Sequence, residues 1–299
     1  MFVVQYRKIF FTLSALLVLG SILAIFMYGF KPGIEFTGGS ILEVQFPTGR
    51  PDLVTVQNEV ASMGITNAEI SPINSDSYSV KTQTMTDVEK NSVEQVLSNG
   101  GSLLVNEVKF NSIGPSVGAE LAHKAYIAIA VVILCIVLFI MFAFRKLKNP
   151  LNYGVATIIA LAHDVLIPTG VYVVWTHFTG GEIDLLFVTA LLAILGYSVH
   201  DTIVVFDRTR ENLLKRGGSA TGQAFEQVVG ESVQQTFGRS INTSLTIFLV
   251  LLALYFIGGQ TTHGFAFVLL IGIVVGTYSS IFVASPLLVT LESWRNRGK

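Results

Sequence analysis

Apolar residues run along this chain in blocks, and six of the blocks are long enough to cross a bilayer. A hydrocarbon layer about 30 Å thick asks for about 20 apolar residues in a helix. The blocks fall near residues 9–29, 125–144, 152–175, 184–206, 240–258 and 264–288. The first follows Arg7 and Lys8 and exceeds the ~7–15 residues of a secretory signal core, so it reads as an uncleaved first helix. Between the first two blocks the pattern shortens. Residues 40–46 (SILEVQF) alternate with period two, as a strand does, whereas apolar positions 53, 56, 60 and 63 have helical spacing that ends at Gly64. Residues 69–73 and 78–82 make two short strands around a turn-like cluster at 74–77. Thr86, with Glu89 three residues on, predicts a capping box opening a helix to about Leu97, and residues 103–110 alternate again.

The predicted fold class is therefore an α-helical polytopic membrane protein of six transmembrane helices. A small α+β domain of order βαββαβ, a ferredoxin-like antiparallel plait, lies between helices one and two. The predicted division is 1–30 for the first helix, 31–123 for the α+β domain and 124–299 for a five-helix bundle. A cytoplasmic amphipathic segment is expected near 208–235. It follows a break at Gly217, Gly218 and Ser219, carries Ala224, Phe225 and Val228 on one face, and should lie along the membrane surface.

Composition agrees. Apolar residues make up 51% and charged residues 13% of the chain, and the mean hydropathy is +0.62; soluble chains carry about 25% charged residues. Lys and Arg gather at Arg7/Lys8, Arg145/Lys146/Lys148, Arg208/Arg210/Lys215/Arg216 and Arg295/Arg297/Lys299, all on one side of a six-helix arrangement. The short loops opposite contain neither residue type, so both termini are expected in the cytoplasm. The 31–120 segment has five basic and eleven acidic residues, a net of −6, which argues against nucleic acid as a partner. Its acids are scattered as on a solvated surface. No phosphate-binding Gly-x-x-x-x-Gly-Lys-Ser/Thr loop is present, the five histidines have no metal-ligand spacing, and the single Cys135 sits in an apolar run as packing filler. No cofactor, no metal and no catalytic residue are expected.

What remains is charge inside the apolar blocks. A charge in hydrocarbon costs a few kcal/mol even on lenient scales, so Asp164, Asp201 and Arg239 are candidate functional residues. Asp164 lies mid-helix with Pro168 four residues on, where a kink is expected. It either bonds a neighbouring helix or takes part in proton movement; His163, about 100° away, reads as a packing residue. In the fourth block Ser198, Asp201 and Thr202 share one face at i, i+3 and i+4. Asp207 with Arg208 and Arg210 reads as a headgroup-level cluster. In the fifth, Arg239, Asn242, Thr243 and Thr246 form a polar stripe at i, i+3, i+4 and i+7, expected to point into the bundle, with snorkelling of Arg239 as the other reading. A buried Asp with a movable Arg partner can take up and release protons near neutral pH. The sixth block carries small residues Gly272, Gly276, Ser280 and Ala284, which let another helix approach.

GIEFTGG at 33–39, LAHDV at 161–165, GYSVHDTIVVFDRTREN at 196–212, RSINTSLT at 239–246 and GIVVGTYSSIFVASP at 272–286 resemble, in order and nearly end to end, the SecF family. These are membrane subunits of the bacterial SecD–SecF protein-export factor, within the resistance-nodulation-division superfamily. The resemblance implies a non-enzymatic auxiliary subunit of the Sec translocase in the bacterial inner membrane. It implies SecD as partner, supplying a second six-helix half, association with the SecYEG channel and contact with exported unfolded polypeptides after SecA has pushed them. Proton motive force would drive late-stage export, with Asp201 and Arg239 as the coupling pair and Asp164 as a further element at the subunit interface or relay. Ser198, Thr202, Asn242, Thr243, Thr246 and His200 would be supporting polar groups, and Gly272, Gly276 and Ser280 packing residues. The chain departs from the family pattern at Glu35, Thr209, Ser240 and His200; only His200, a titratable residue beside Asp201, bears on the proton path. Two other readings stand beside this one: a small-molecule or lipid exporter of the superfamily, and a non-conducting assembly subunit of the translocase.

Overall fold

The computed structural model describes residues 2–63, 65, 68–73, 75–98, 103–147, 149–217 and 220–297. Gly64, Asn74, Lys148, Gly218, Ser219 and Lys299, used above as helix end, turn, charges and break, lie outside the described residues. In chain order the elements are α1 (Phe2–Gln5), α2 (Arg7–Tyr28), α3 (Ile34–Thr37), β1 (Gly39–Gln45), α4 (Leu53–Ser62), β2 (Glu69–Ile73), β3 (Ser77–Thr82), α5 (Asp87–Leu97) and β4 (Asn106–Ile113). Then follow α6 (Pro115–Ala143), α7 (Pro150–Thr179), α8 (Leu185–Lys215), α9 (Gln223–Ile257), α10 (Gln260–Ser279), a π-helical turn (Ser280–Ala284) and α11 (Ser285–Arg297). Six helices among the described residues are long and apolar enough to span a membrane: α2, α6, α7, α8, α9, and Thr261–Arg295, which runs from α10 into α11. The chain divides into two compact units, one of Met1–Phe30, Ile127–Gly181 and Leu186–Lys299, the other of Lys31–Tyr126 and Glu182–Leu185.

The smaller unit has a four-stranded antiparallel sheet in the order β2-β3-β1-β4. Leu42 and Val44 of β1 pack with Tyr78 and Val80 of β3 against Val56 and Val60 of α4 and Val93 and Leu97 of α5. The period-two pattern thus has its reason: one face of the sheet is covered by the two helices. The last strand lies three residues beyond the expected 103–110. Its pairing with β1 shifts register between Glu43 and Val44, and Leu104 and Val108 are exposed. The capping box of α5 is formed: Glu89 N donates to Thr86 Oγ1 at 3.4 Å and Thr86 N donates to Glu89 Oε2 at 2.7 Å. These bonds hold the Glu89 carboxyl below the usual carboxylate range. The Gly38-Gly39 pair serves close backbone approach. Both have positive φ, and a Cβ would lie 2.6 Å from Pro115 Cα at Gly38 and 2.7 Å from the Thr82 carbonyl oxygen at Gly39. Residues 182–185, between α7 and α8 in sequence, belong to this unit. Ile183 N donates to Lys31 O and Gly33 N to Ile183 O, each at 2.8 Å, and Lys81 pairs with Glu182.

In the larger unit α7 is extensively buried, with one apolar strip of Leu151, Val155, Ile158 and Ile159 left exposed, so its sequence shows no polar face. Pro168, where a kink was expected, lies inside this one helix. Phe144, Tyr153 and Phe206 pack as a ring cluster, with Phe144 and Tyr153 stacked at 5.0 Å. Gly170 sits so close to α2 that a Cβ there would lie 2.4 Å from Ser21 Cβ. The 208–235 segment is not a separate surface helix. α8 continues to Lys215, and α9 begins at Gln223 and runs as one 35-residue helix to Ile257. Phe225, Val228, Val229 and Val233 are buried in the same core as Val205, Phe206 and Leu213, whereas Ala224 is exposed. Burying that apolar face against α8 leaves it nothing to offer a membrane surface.

Gly170→Ala should lower the thermal midpoint of the solubilised chain, at an overpacking cost of about 1–3 kcal/mol. Gly20→Ala, whose methyl would meet nothing within 4 Å, should leave it unchanged. Equal midpoints for the two variants would contradict the close packing of α2 on α7.

Candidate functional site

Asp164 and Asp201 are 0% and 2% exposed, in helices α7 and α8. A carboxylate taken out of water must be supplied with donors or pay a cost of several kcal/mol. Asp164 has them. Ser198 of α8 and Ser279 of α10 both donate to its Oδ2, the latter at 2.8 Å, and His163 Nδ1 lies 2.8 Å from its Oδ1. Three helices therefore converge on one side chain. Gly276 permits it, because a Cβ there would lie 3.2 Å from Ser198 Cβ; Gly272 does the same under Ile194, with a Cβ 2.2 Å from Ile194 Cδ1. The helix approached by the small-residue stripe is thus α8.

The π-helical turn is the feature the sequence did not disclose. Just after Ser279 the helix widens, and Ser280 Oγ lies 2.8 Å from Thr202 Oγ1 and donates to Ser198 O at 3.2 Å. Ser285 Oγ donates to the Ser280 carbonyl at 2.9 Å. Consecutive serines thereby serve two clusters, Ser279 on Asp164 and Ser280 on Thr202. Single π turns recur at functional sites. Ser280, expected as a packing residue, is a hydrogen-bonding one.

Asp201 is differently placed. Ser198 and Thr202 share its buried face, as expected. Ser240, His200 and Arg239 are the side chains whose polarity reaches its carboxylate. Asp201 Oδ2 and Ser240 Oγ are both buried and neither makes a hydrogen bond of good geometry, although the Ser240 hydroxyl is near enough to act on the carboxylate, and no ion pair joins Asp201 to Arg239 among the described residues.

The polar stripe of the fifth spanning helix does not point into this chain's bundle. Arg239, Asn242 and Thr246 are exposed and Thr243 is half-buried. The inward face carries Thr236, Ser240 and Ser244 instead. Tyr197 OH donates to Ser244 Oγ at 2.6 Å, and Thr277 Oγ1 lies 2.6 Å from the same atom. Two polar stripes one residue apart in phase lie on this helix, and the sequence read the wrong one as internal. Thr246 spends its hydroxyl on the Asn242 carbonyl of its own helix, at 2.9 Å. His200 is exposed, while Asp207 is exposed and paired with Arg210 at 3.2 Å.

Two further placements differ from expectation. Asp164, expected at a subunit interface or in a relay, is enclosed by this chain's own helices, which excludes the interface position. His163, expected as packing, is 5% exposed, bonded to Asp164, and has a buried Nε2 without a partner. Its adjacency to Asp164 was the available signal: a 100° step on a helix still lets a ring reach its neighbour's carboxylate. Beside it, Tyr278 of α10 lies with its ring 6.1 Å from the imidazole, and its hydroxyl donates to Phe10 O of α2 at 3.0 Å.

Ser279→Ala should destabilise the solubilised chain by about 1–3 kcal/mol through loss of a donor to a buried carboxylate. In a double-mutant cycle with Asp164→Asn the two effects should be non-additive. Thr246→Ala should be near neutral. Additive unfolding energies would contradict the Asp164–Ser279 bond.

Residues 81–294 match the model of the protein export membrane protein SecD/SecF C-terminal family, and residues 23–46 match the SecD/SecF GG motif. A protein translocase subunit SecF from Thermobaculum terrenum is 42% identical over 99% of this chain and 94% of its own length. Another from Anaerolinea thermophila is 37% identical, covering 97% and 94%. The crystal structure of SecDF from Thermus thermophilus superposes with a TM-score of 0.82 at 32% identity. That match takes in 98% of this chain and 38% of the longer SecDF chain. The super-membrane-facing form of SecDF gives a TM-score of 0.64 at 33% identity.

Proposed function

This chain belongs to the SecD/SecF family of protein-export membrane proteins, and from that premise we propose that it is the SecF-type accessory subunit of a bacterial Sec translocase. In this reading it sits in the inner membrane as a multi-pass protein with both termini in the cytoplasm. It pairs with a SecD partner and works beside the SecYEG channel, using the proton motive force to promote the late stage of export. The βαββαβ unit is read as a ferredoxin-like domain outside the cytoplasm, where it engages or follows the exported unfolded chain. Its relatives are named as translocase subunits, and no covalent chemistry is assigned to it.

The observation that carries this reading is the incomplete surroundings of Asp201. A buried carboxylate oxygen without a partner, close to an exposed stripe of Arg239, Asn242 and Thr246, is half of a site. A helix face that carries an arginine at membrane depth asks for a protein or water-lined neighbour rather than lipid. A second six-helix half of the SecD type would cover that face and bring Asp201 and Arg239 into one enclosed environment. There, gain of a proton by Asp201 removes its attraction for Arg239, and loss restores it. The energy suffices: one charge crossing about 100 mV yields about 2.3 kcal/mol. Reversing a two-state equilibrium from 1:99 to 99:1 takes about 5.5 kcal/mol. Roughly two to three protons per cycle meet that demand.

Asp201→Asn and Arg239→Met should each abolish the proton-dependent part of export into membrane vesicles while co-purification with SecD is retained. Gly272→Leu, which wedges α10 off α8, should instead reduce the assembled complex. Export that keeps its full response to a proton gradient in both charge variants would reject proton coupling at this pair and leave the assembly-subunit reading.

A further inference from the structure

A second ionisable centre lies in the middle of α7, enclosed by this chain alone. We propose that His163 and Asp164 form a proton-holding dyad whose entry point is His163 Nε2, a site separate from Asp201 and Arg239. Its use in export rests on the proton-coupled reading above; its titration does not.

The hydrogen-bond inventory fixes how the dyad works. Asp164 Oδ2 accepts from both Ser198 and Ser279. A proton on the carboxyl group would therefore belong on Oδ1, which faces His163 Nδ1 at 2.8 Å. In one state the carboxylate is ionised, Nδ1 carries the ring's proton toward Oδ1, and Nε2 holds a bare lone pair. The dyad then has a net charge of −1. A proton arriving from water through the bundle bonds to Nε2. The proton between Nδ1 and Oδ1 then stays on nitrogen, giving an imidazolium–carboxylate pair, or crosses to oxygen, giving two neutral groups. Either way one proton has been gained, no other bond is broken, and the net charge is zero.

Two independent features support this assignment over a purely structural bond. Nε2 is buried without a partner, although a ring held only for packing would gain by pointing that nitrogen at a donor or acceptor. The groups around the dyad are also neutral. α8 presents Ser198, α10 presents Ser279 and the Tyr278 ring, and α2 presents Ser14 Oγ to the Tyr278 hydroxyl at 3.3 Å. Among the described residues, His163 is the ionisable side chain within ion-pair distance of the Asp164 carboxylate. The change from −1 to zero is therefore uncompensated, and the helices that pack on α7 must feel it. The serines from α8 and α10 that clamp Oδ2 hold an anion more tightly than a neutral acid, so the protonated form in which the proton has crossed to Oδ1 loosens α8 and α10 at this point.

The test is solid-state nitrogen NMR of the full chain with its SecD partner in liposomes, with labelled histidine and aspartate, from about pH 5 to about pH 9. The signal attributable to His163 by its coupling to the Asp164 carboxyl carbon, and lost in His163→Asn, should show bare Nε2 at high pH and protonated Nε2 at low pH. The Asn side chain keeps a donor toward Oδ1, so the variant should fold and assemble while losing this titration. The titration should persist in Asp201→Asn, which separates the dyad from the other proton site. A His163 ring that stays in one protonation state across the range, with wild-type protein and whatever the export phenotype, would overturn the proposal.

Discussion

A carboxylate with no access to water has to be surrounded by donors, and the interior of this bundle is arranged around meeting that need at Asp164. The donors come from α7 itself, from α8 and from α10, so three helices are held in fixed register by one side chain. Glycine at 276 is what allows Ser198 to come near enough, and the π turn after Ser279 is what lets the next serine bond Thr202. Net gain from such a network is modest, because each bond replaces one to water. The penalty for leaving any member unpaired is large. The arrangement therefore specifies one packing of these helices more than it adds to stability.

Against that closed centre stands an open one. Asp201 is one turn along α8 from Ser198, equally removed from water, yet one of its oxygens is unpartnered. The nearby cation, Arg239, lies on the outer face of α9. The contrast between a carboxylate fully served by its own chain and one with an unpartnered oxygen is what the proposed partner-completed site rests on. The smaller unit is joined to the larger one covalently through α2, α6 and residues 182–185, the last leading directly into the helix that bears Asp201.

Much of this was legible because helices able to span a membrane announce themselves by length and a small α+β unit by its alternation of periods. The capping box at Thr86 and Glu89 and the small residues at 272 and 276 follow from local chemistry, and local chemistry is what a sequence carries. Phase is not. On the fifth spanning helix Ser240 and Ser244 compete with Arg239, Asn242 and Thr246 for the inward face, and nothing local decides between stripes one residue apart. The π turn at 280–284 likewise has no code of its own in SIFVA; it arises because Ser279 and Ser280 answer to different helices. His163 was misjudged for a related reason, since helical phase speaks of Cβ direction and an imidazole reaches well beyond its Cβ. The run of α9 back to Gln223 was hidden by a polar stretch that covers a core instead of a membrane surface.

The most direct test of the account is an experimental structure of this chain assembled with its partner subunit in lipid, determined with Asp201 ionised and protonated. The account requires Arg239 and Asn242 to be covered by the partner and Asp201 Oδ2 to gain a donor in the ionised state and lose it in the other. An Arg239 guanidinium extended to the lipid headgroups in both states, with Asp201 still sealed from it, would contradict the central claim.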